Sequence, residues 1–184
     1  MEITEKEIED IICDSLKKDS NILRKRGLYL YENFFRQLDL GTYGRADLVT
    51  FKLLTYQKEI RIQIIELKKK YIDNSAFLQS VRYARGLQRI LEEDYSLSNH
   101  EFNFEIILIG KQIELSGDFC FLTDIFSKIK FYTYKVDIEL GLVFTNNHGY
   151  THTNEMRGSF SKEQKIYLRK NLFKFELNYF RPLG

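Results

Sequence analysis

No apolar run in this chain is long enough to cross a bilayer. The longest, such as Ile106-Ile107-Leu108-Ile109, fall far short of the roughly 20 residues that a helical span needs, so no membrane role is expected. The chain opens on acidic residues, not on a basic segment leading into an apolar stretch, which argues against a secretory signal. There are only two cysteines, Cys13 and Cys120, and they lack metal-type spacing; a reducing cytoplasm is the simplest compartment for them. Neither sign of charge dominates: a net charge of +2 neither favours nor excludes nucleic acid, because a carboxylate metal site is itself acidic and a local basic face can do the binding. Repeats, low-complexity tracts, a phosphate-cradling P-loop and a Gly-x-Ser-x-Gly elbow are all missing. His148-x-x-x-His152 has a helical metal spacing, but Gly149 and Thr151 in a turn-rich segment argue against the helix it would need.

At 184 residues the chain is expected to form a single domain with its own core. Thr4-Glu5-Lys6-Glu7 has the spacing of a capping box, and Ile8, Ile11, Ile12 and Leu16 follow on one stripe, which predicts a helix over about 4–18. Three strands in a meander are predicted over Leu28 to Leu38, Ala46 to Leu54 and Glu59 to Lys69, with a glycine-containing turn at Gly41 to Gly44. Phe77, Val81, Ala84, Leu87 and Leu91 then predict a helix over Ser75 to Glu93, with Ser75 as its N-cap. Phe102 to Lys111 reads as a buried strand. Residues 118–145 suggest a short helix and a further strand or hairpin, Thr145 to Gly158 is turn-like, and Ser161 to Phe173 suggests a last helix. The fold class is α/β: a core of helix, three-strand meander, helix and strand over about 4–111, with C-terminal elaboration over 112–184.

Polar residues mark one end of that core. Side chains alternate across a strand, so Ile60, Ile62, Ile64, Glu66 and Lys68 share a face, and a carboxylate and an ammonium group emerge where the apolar stripe stops. An antiparallel meander can bring Asp47, on the preceding strand, next to Glu66. Two converging carboxylates suit Mg²⁺ or Mn²⁺, which bind oxygen ligands and activate water for phosphodiester hydrolysis. On the second helix Gln79 and Tyr83 fall near the edge of the apolar arc, and Arg82, Arg85 and Arg89 form a basic stripe opposite it. That stripe reads equally as a phosphate-binding face or as a solvated one. Lys69 and Lys70 extend Lys68 into a basic strand end with the same two readings.

Taken in order, Gly44-Arg45-Ala46-Asp47, Glu66-Leu67-Lys68 and Gln79-x-x-x-Tyr83 resemble the active site of the PD-(D/E)XK nuclease superfamily, RecB-like enzymes among them. The proline that often precedes the Asp is absent. Arg36-Gln37 ahead of Tyr43-Gly44-Arg45-Ala46-Asp47-Leu48, with Ile8-Glu9 on the first helix, is similar to the NucS-type endonuclease domain. The resemblance covers about residues 5–111. It implies a restriction-endonuclease-like fold and a metal-dependent nuclease acting on DNA, endo- or exonucleolytic. Asp47 and Glu66 would hold the metal, the Leu67 backbone carbonyl would add a ligand, and Lys68 would stabilise developing charge. Gln79 and Tyr83 would support the site, and Glu9 would reach the metal from the first helix, with Glu5 as the alternative. A homodimer would favour double-strand cuts. Two other readings stand beside this one: a nuclease-fold binding or assembly protein without turnover, and a nuclease directed to RNA.

Overall fold

The computed structural model describes residues 3–93, 97, 99–114 and 128–147. By its contacts the chain separates into Met1–Tyr150 and Thr151–Gly184, and all the described residues belong to the first unit. Cys120, His148, His152 and the helices expected after residue 117 lie outside the described residues.

The first helix, α1 (Glu5–Lys18), begins as its sequence predicts. The Thr4 hydroxyl accepts the Glu7 N–H, and the Glu7 carboxylate accepts the Thr4 N–H in return, so two donors that the helix start leaves open are satisfied. The Asp19 carboxylate then caps a short helix, α2 (Ser20–Lys25), that the sequence pattern did not suggest. Strand β1 (Asn33–Asp39) starts five residues later than expected. Leu28 and Leu30 are buried but precede the ladder: their alternation with Tyr29 and Tyr31 imitates a strand, yet both fill the core beneath Leu142 and Phe144.

From there the order is β2 (Arg45–Leu54), β3 (Glu59–Leu67), the two-residue β4 (Tyr71–Ile72), α3 (Asn74–Glu93), β5 (Glu101–Gly110), the two-residue β6 (Gln112–Ile113), β7 (Ile129–Asp137) and β8 (Gly141–Asn146). Among the described residues a mixed six-stranded sheet runs β1-β2-β3-β5-β7-β8, and β4 pairs separately with β6. The meander β1-β2-β3 and the hairpin β7-β8 are antiparallel, while β3-β5 and β5-β7 are parallel, so the molecule is a mixed α/β protein. Strand β3 sits inside the sheet and is buried on both faces: Ile65 and Leu67 pack with Ile8 and Ile12 of α1, whereas Ile62 and Ile64 pack with Tyr83 and Leu87 of α3. This split follows from strand alternation and explains why an isoleucine-rich segment was needed there. Among the described residues no helix is long and apolar enough to cross a membrane.

Two expectations for α3 change. Asp73, not Ser75, takes the Ala76 N–H at the helix start, and Ser75 lies within the first turn. The buried face runs through Ala76, Phe77, Ser80, Tyr83, Gly86 and Leu87, leaving Val81 exposed and drawing Tyr83 into the core. Hydrophobic projection missed this rotation because Ser80 and Gly86, which carry little apolar surface, are what allow the close approach. A Cβ on Gly86 would lie 2.5 Å from Cγ and 2.6 Å from Cβ of Tyr43, atoms too near the main chain to swing away. This contact docks the Gly41–Tyr43 turn on α3 and so fixes where β2 begins. Gly86→Ala is expected to cost about 1–3 kcal/mol of stability through overpacking, read by denaturant unfolding. An unchanged midpoint would mean that the turn is not held by this contact.

Candidate functional site

The β2-β3 ladder ends at the pair Leu48–Ile65, just before the charged residues. Beyond it the Asp47 carboxylate takes the place of a backbone partner: its Oδ2 accepts the Leu67 N–H at 2.9 Å. The two strands therefore part at this point, and the side chains of Asp47, Glu66 and Lys68 surround the gap. Lys68 stands one residue past the end of β3, where its Nζ donates to Glu66 Oε1 at 2.8 Å and to Gln79 Oε1 of α3 at 2.9 Å. Gln79 thus ties the helix to the strand end, and its interaction is with the lysine.

Burial dominates the electrostatics. Glu66 is 4% exposed, and its Oε2 is buried without a hydrogen-bond partner among the described residues. Loss of water, then the negative charge of Asp47, pushes its pKa up to about 7, and the Lys68 bond only partly offsets this. Asp47 is also raised, chiefly by burial, against the opposing Leu67 N–H and Lys68 charge. For Lys68 burial acts downward, but the Glu66 hydrogen bond and the surrounding carboxylates outweigh it and raise the pKa. Burial therefore pushes both carboxylates toward their protonated forms, and the Lys68 ammonium only partly opposes this.

Helix α1 reaches the same place through two glutamates. Glu9 is buried, with Oε1 held by Arg36 Nε and Oε2 by Gln37 Nε2 at 2.9 Å; Arg36 also pairs with Asp10 at 2.6 Å. The same Gln37 amide lies 3.5 Å from Asp47 Oδ1, so Glu9 communicates with Asp47 through Gln37. Glu5 is placed one step further along, its Oε1 accepting the Lys69 N–H at 2.9 Å. Gln37 was not among the expected site residues. It has φ of +49° within β1, a conformation that costs a residue with a Cβ, and in this case the strained residue is the one that joins two carboxylates. Its sequence signal was the Arg36-Gln37 dipeptide, which carried only the family resemblance.

Other expected residues are elsewhere. Tyr83 packs beside Gly44, where a glycine Cβ would meet its ring at 3.0 Å, and makes no hydrogen bond to Asp47, Glu66 or Lys68 among the described residues. It shapes the turn leading to Asp47. Arg82, Arg85 and Arg89 are exposed as the helical projection predicts; Arg82 lies over the Tyr83 ring and Arg89 donates to the Tyr43 hydroxyl at 3.0 Å. The Leu67 side chain is buried in the core, leaving only its backbone at the site. Lys69 is half-buried and Lys70 exposed.

Among the described residues no group of three or more His, Cys, Asp or Glu is assembled in a way that could hold a metal by itself. The donor set to be tested is therefore the Asp47–Glu66 pair. It fits a hard divalent cation: two carboxylates whose negative charge is disfavoured by burial, one of them with an oxygen that has no hydrogen-bond partner among the described residues. Mg²⁺ is commonly held by only one or two carboxylates, with waters and substrate phosphate completing its shell, so an all-protein cage is not required. No protein-family model, no curated protein and no solved structure matches this chain.

Proposed function

We propose that this chain is a nuclease of the PD-(D/E)XK type that hydrolyses DNA phosphodiester bonds with Mg²⁺ or Mn²⁺. The observation that carries the reading is the convergence of Asp47, Glu66, Lys68 and Gln79 where β2 and β3 part, with a buried Glu66 oxygen that has no partner among the described residues. The order of helix, antiparallel meander, helix and parallel strand supports the same reading at the level of the fold.

Asp47 and Glu66, with the Leu67 carbonyl, would hold the cation, whose chemistry is to neutralise the phosphoryl oxygens and lower the pKa of water. Lys68 brings a fixed positive charge to the site. Because Glu66 and Gln79 both accept from its Nζ, the ammonium is already oriented, and charge developing on the phosphate meets a group that need not reorganise. Glu9 acts on Asp47 through Gln37, holding the carboxylate that in turn holds the strand end open. The exposed arginines of α3 would contact phosphates by charge alone.

The test is cleavage of labelled linear, circular and single-stranded DNA, with RNA in parallel, in Mg²⁺, in Mn²⁺ and in EDTA. DNA cut only with metal is the expected result. Cutting of circular substrate identifies internal cleavage, and cutting confined to RNA replaces the DNA reading with an RNA-directed one. If the protein binds nucleic acid with a steep salt dependence and cuts none of them, the reading becomes that of a binding module on a nuclease-like framework.

A further inference from the structure

A pocket of about 410 Å³ is lined, among others, by Lys70, which follows β3, by Tyr71 of β4, by Lys111 between β5 and β6, and by Tyr134 and Lys135 of β7. Its floor is fixed by main-chain bonds. Lys69 N–H donates to Glu5, the Tyr134 hydroxyl donates to the Lys69 carbonyl at 2.6 Å, and Gln112 N–H donates to the Lys70 carbonyl at 2.9 Å. The pairing of β4 with β6 completes the brace. Lys70, Lys111 and Lys135 are exposed and form no ion pair among the described residues. Tyr71 is 54% exposed even though it belongs to a strand.

We infer that this pocket binds a single-stranded segment of nucleic acid, with successive phosphates on Lys70, Lys111 and Lys135 and a base stacked on Tyr71. Three cations from three separate segments line one pocket together with an exposed aromatic ring, and a nucleic-acid strand offers partners to both, phosphates to the lysines and a base face to the ring. The exposed ring discriminates between strand states. A duplex keeps its base faces stacked inside, whereas a single strand offers a free face to an aromatic side chain. Lys70 lies two residues beyond Lys68, at most about 7 Å away along the main chain. A strand seated here would lie next to the chain segment that carries Lys68. In that use the inference rests on the nuclease reading and adds to it the substrate form, a strand that is unpaired next to the scissile bond.

Binding of a fluorescein-labelled oligothymidylate of about 12 nucleotides, and of a duplex of equal length, is measured by anisotropy across a salt series in EDTA, where no turnover occurs. The single strand is expected to bind more tightly than the duplex. Combining Lys70→Gln, Lys111→Gln and Lys135→Gln should reduce the slope of log affinity against log salt by about 2. Tyr71→Ala should weaken single-strand binding about tenfold while leaving the slope in place. Because all four side chains lie at the surface, thermal melting should show the variants to be folded; Lys70→Arg, Lys111→Arg and Lys135→Arg together should keep the slope. Equal or tighter duplex binding, or an unchanged slope in the glutamine variant, overturns the inference. If the wild type cuts nothing in Mg²⁺ but these binding effects appear, the pocket stands and the nuclease reading falls. If it cuts and the binding is unaffected, the reverse holds.

Discussion

Lys68→Ala is expected to lower metal-dependent cleavage by about a hundred- to a thousandfold while the protein remains folded. That is the scale seen when one preorganised electrostatic donor is removed from a transition state. The side chain is partly exposed and contributes little to the core, so its loss should be read in turnover and not in melting temperature. Glu66→Gln should reduce cleavage at least as much, for a different reason. The amide oxygen can still accept from Lys68, but the group no longer brings a charge to the cation. Gln79→Ala should have a smaller effect, about tenfold, because Gln79 only positions the lysine. If Lys68→Ala and Glu66→Gln cleaved at wild-type rates, the cluster would be a structural ion pair and the proposed site would be wrong.

Stability should depend on pH through Glu66, with a sign that burial dictates. In the unfolded chain this carboxyl has its ordinary value of 4.5, and in the folded protein burial and Asp47 push it up to about 7. Between those values the folded state holds the proton more tightly, so raising the pH through this window lowers stability. The contribution is fully present below 4.5 and gone above about 7, and its size is on the order of 3 kcal/mol. Other carboxylates slope the opposite way at lower pH: Glu7, Glu59 and Asp137 are all held below their ordinary values by hydrogen bonds. The clean measurement is therefore the difference between wild type and Glu66→Gln in EDTA. That difference should favour the variant progressively as pH rises from 5 to 8, windows set by the same pKa shift. Mg²⁺ should stabilise the wild type more at the alkaline end, by about 2.7 kcal/mol at a hundred times its dissociation constant, and should not stabilise the variant to that extent. A difference that is flat with pH would mean that Glu66 is hydrated and the site is wetter than its geometry indicates.

The sequence made the framework readable where local chemistry has one solution. Thr4 and Glu7 signalled a helix start because a capping box satisfies backbone donors locally, and α1 begins there. Isoleucine alternation located β3, and its interruption by Glu66 and Lys68 located the charged end. Two of the errors came from imitation of a pattern. Leu28 and Leu30 alternate like strand residues but plug a core, and Val81 lies on a good helical arc yet faces solvent.

Residue order and strand alternation, properties of the chain alone, thus determined that Asp47, Glu66 and Lys68 would gather at one end of a sheet and that Gln79 would lie on a neighbouring helix. Only the tertiary structure decided how they are used. That Asp47 holds the Leu67 N–H, that Gln37 bends into a left-handed conformation to link Glu9 with Asp47, and that Tyr83 serves packing are all matters of distances between elements far apart in sequence. The lysine pocket has the same origin, because Lys70, Lys111 and Lys135 come from three segments that the parallel β3-β5-β7 register aligns. Local propensity acts over a few residues, whereas burial, charge coupling and strand splay exist only once distant segments have packed, and those are the terms that turn a row of polar residues into a site.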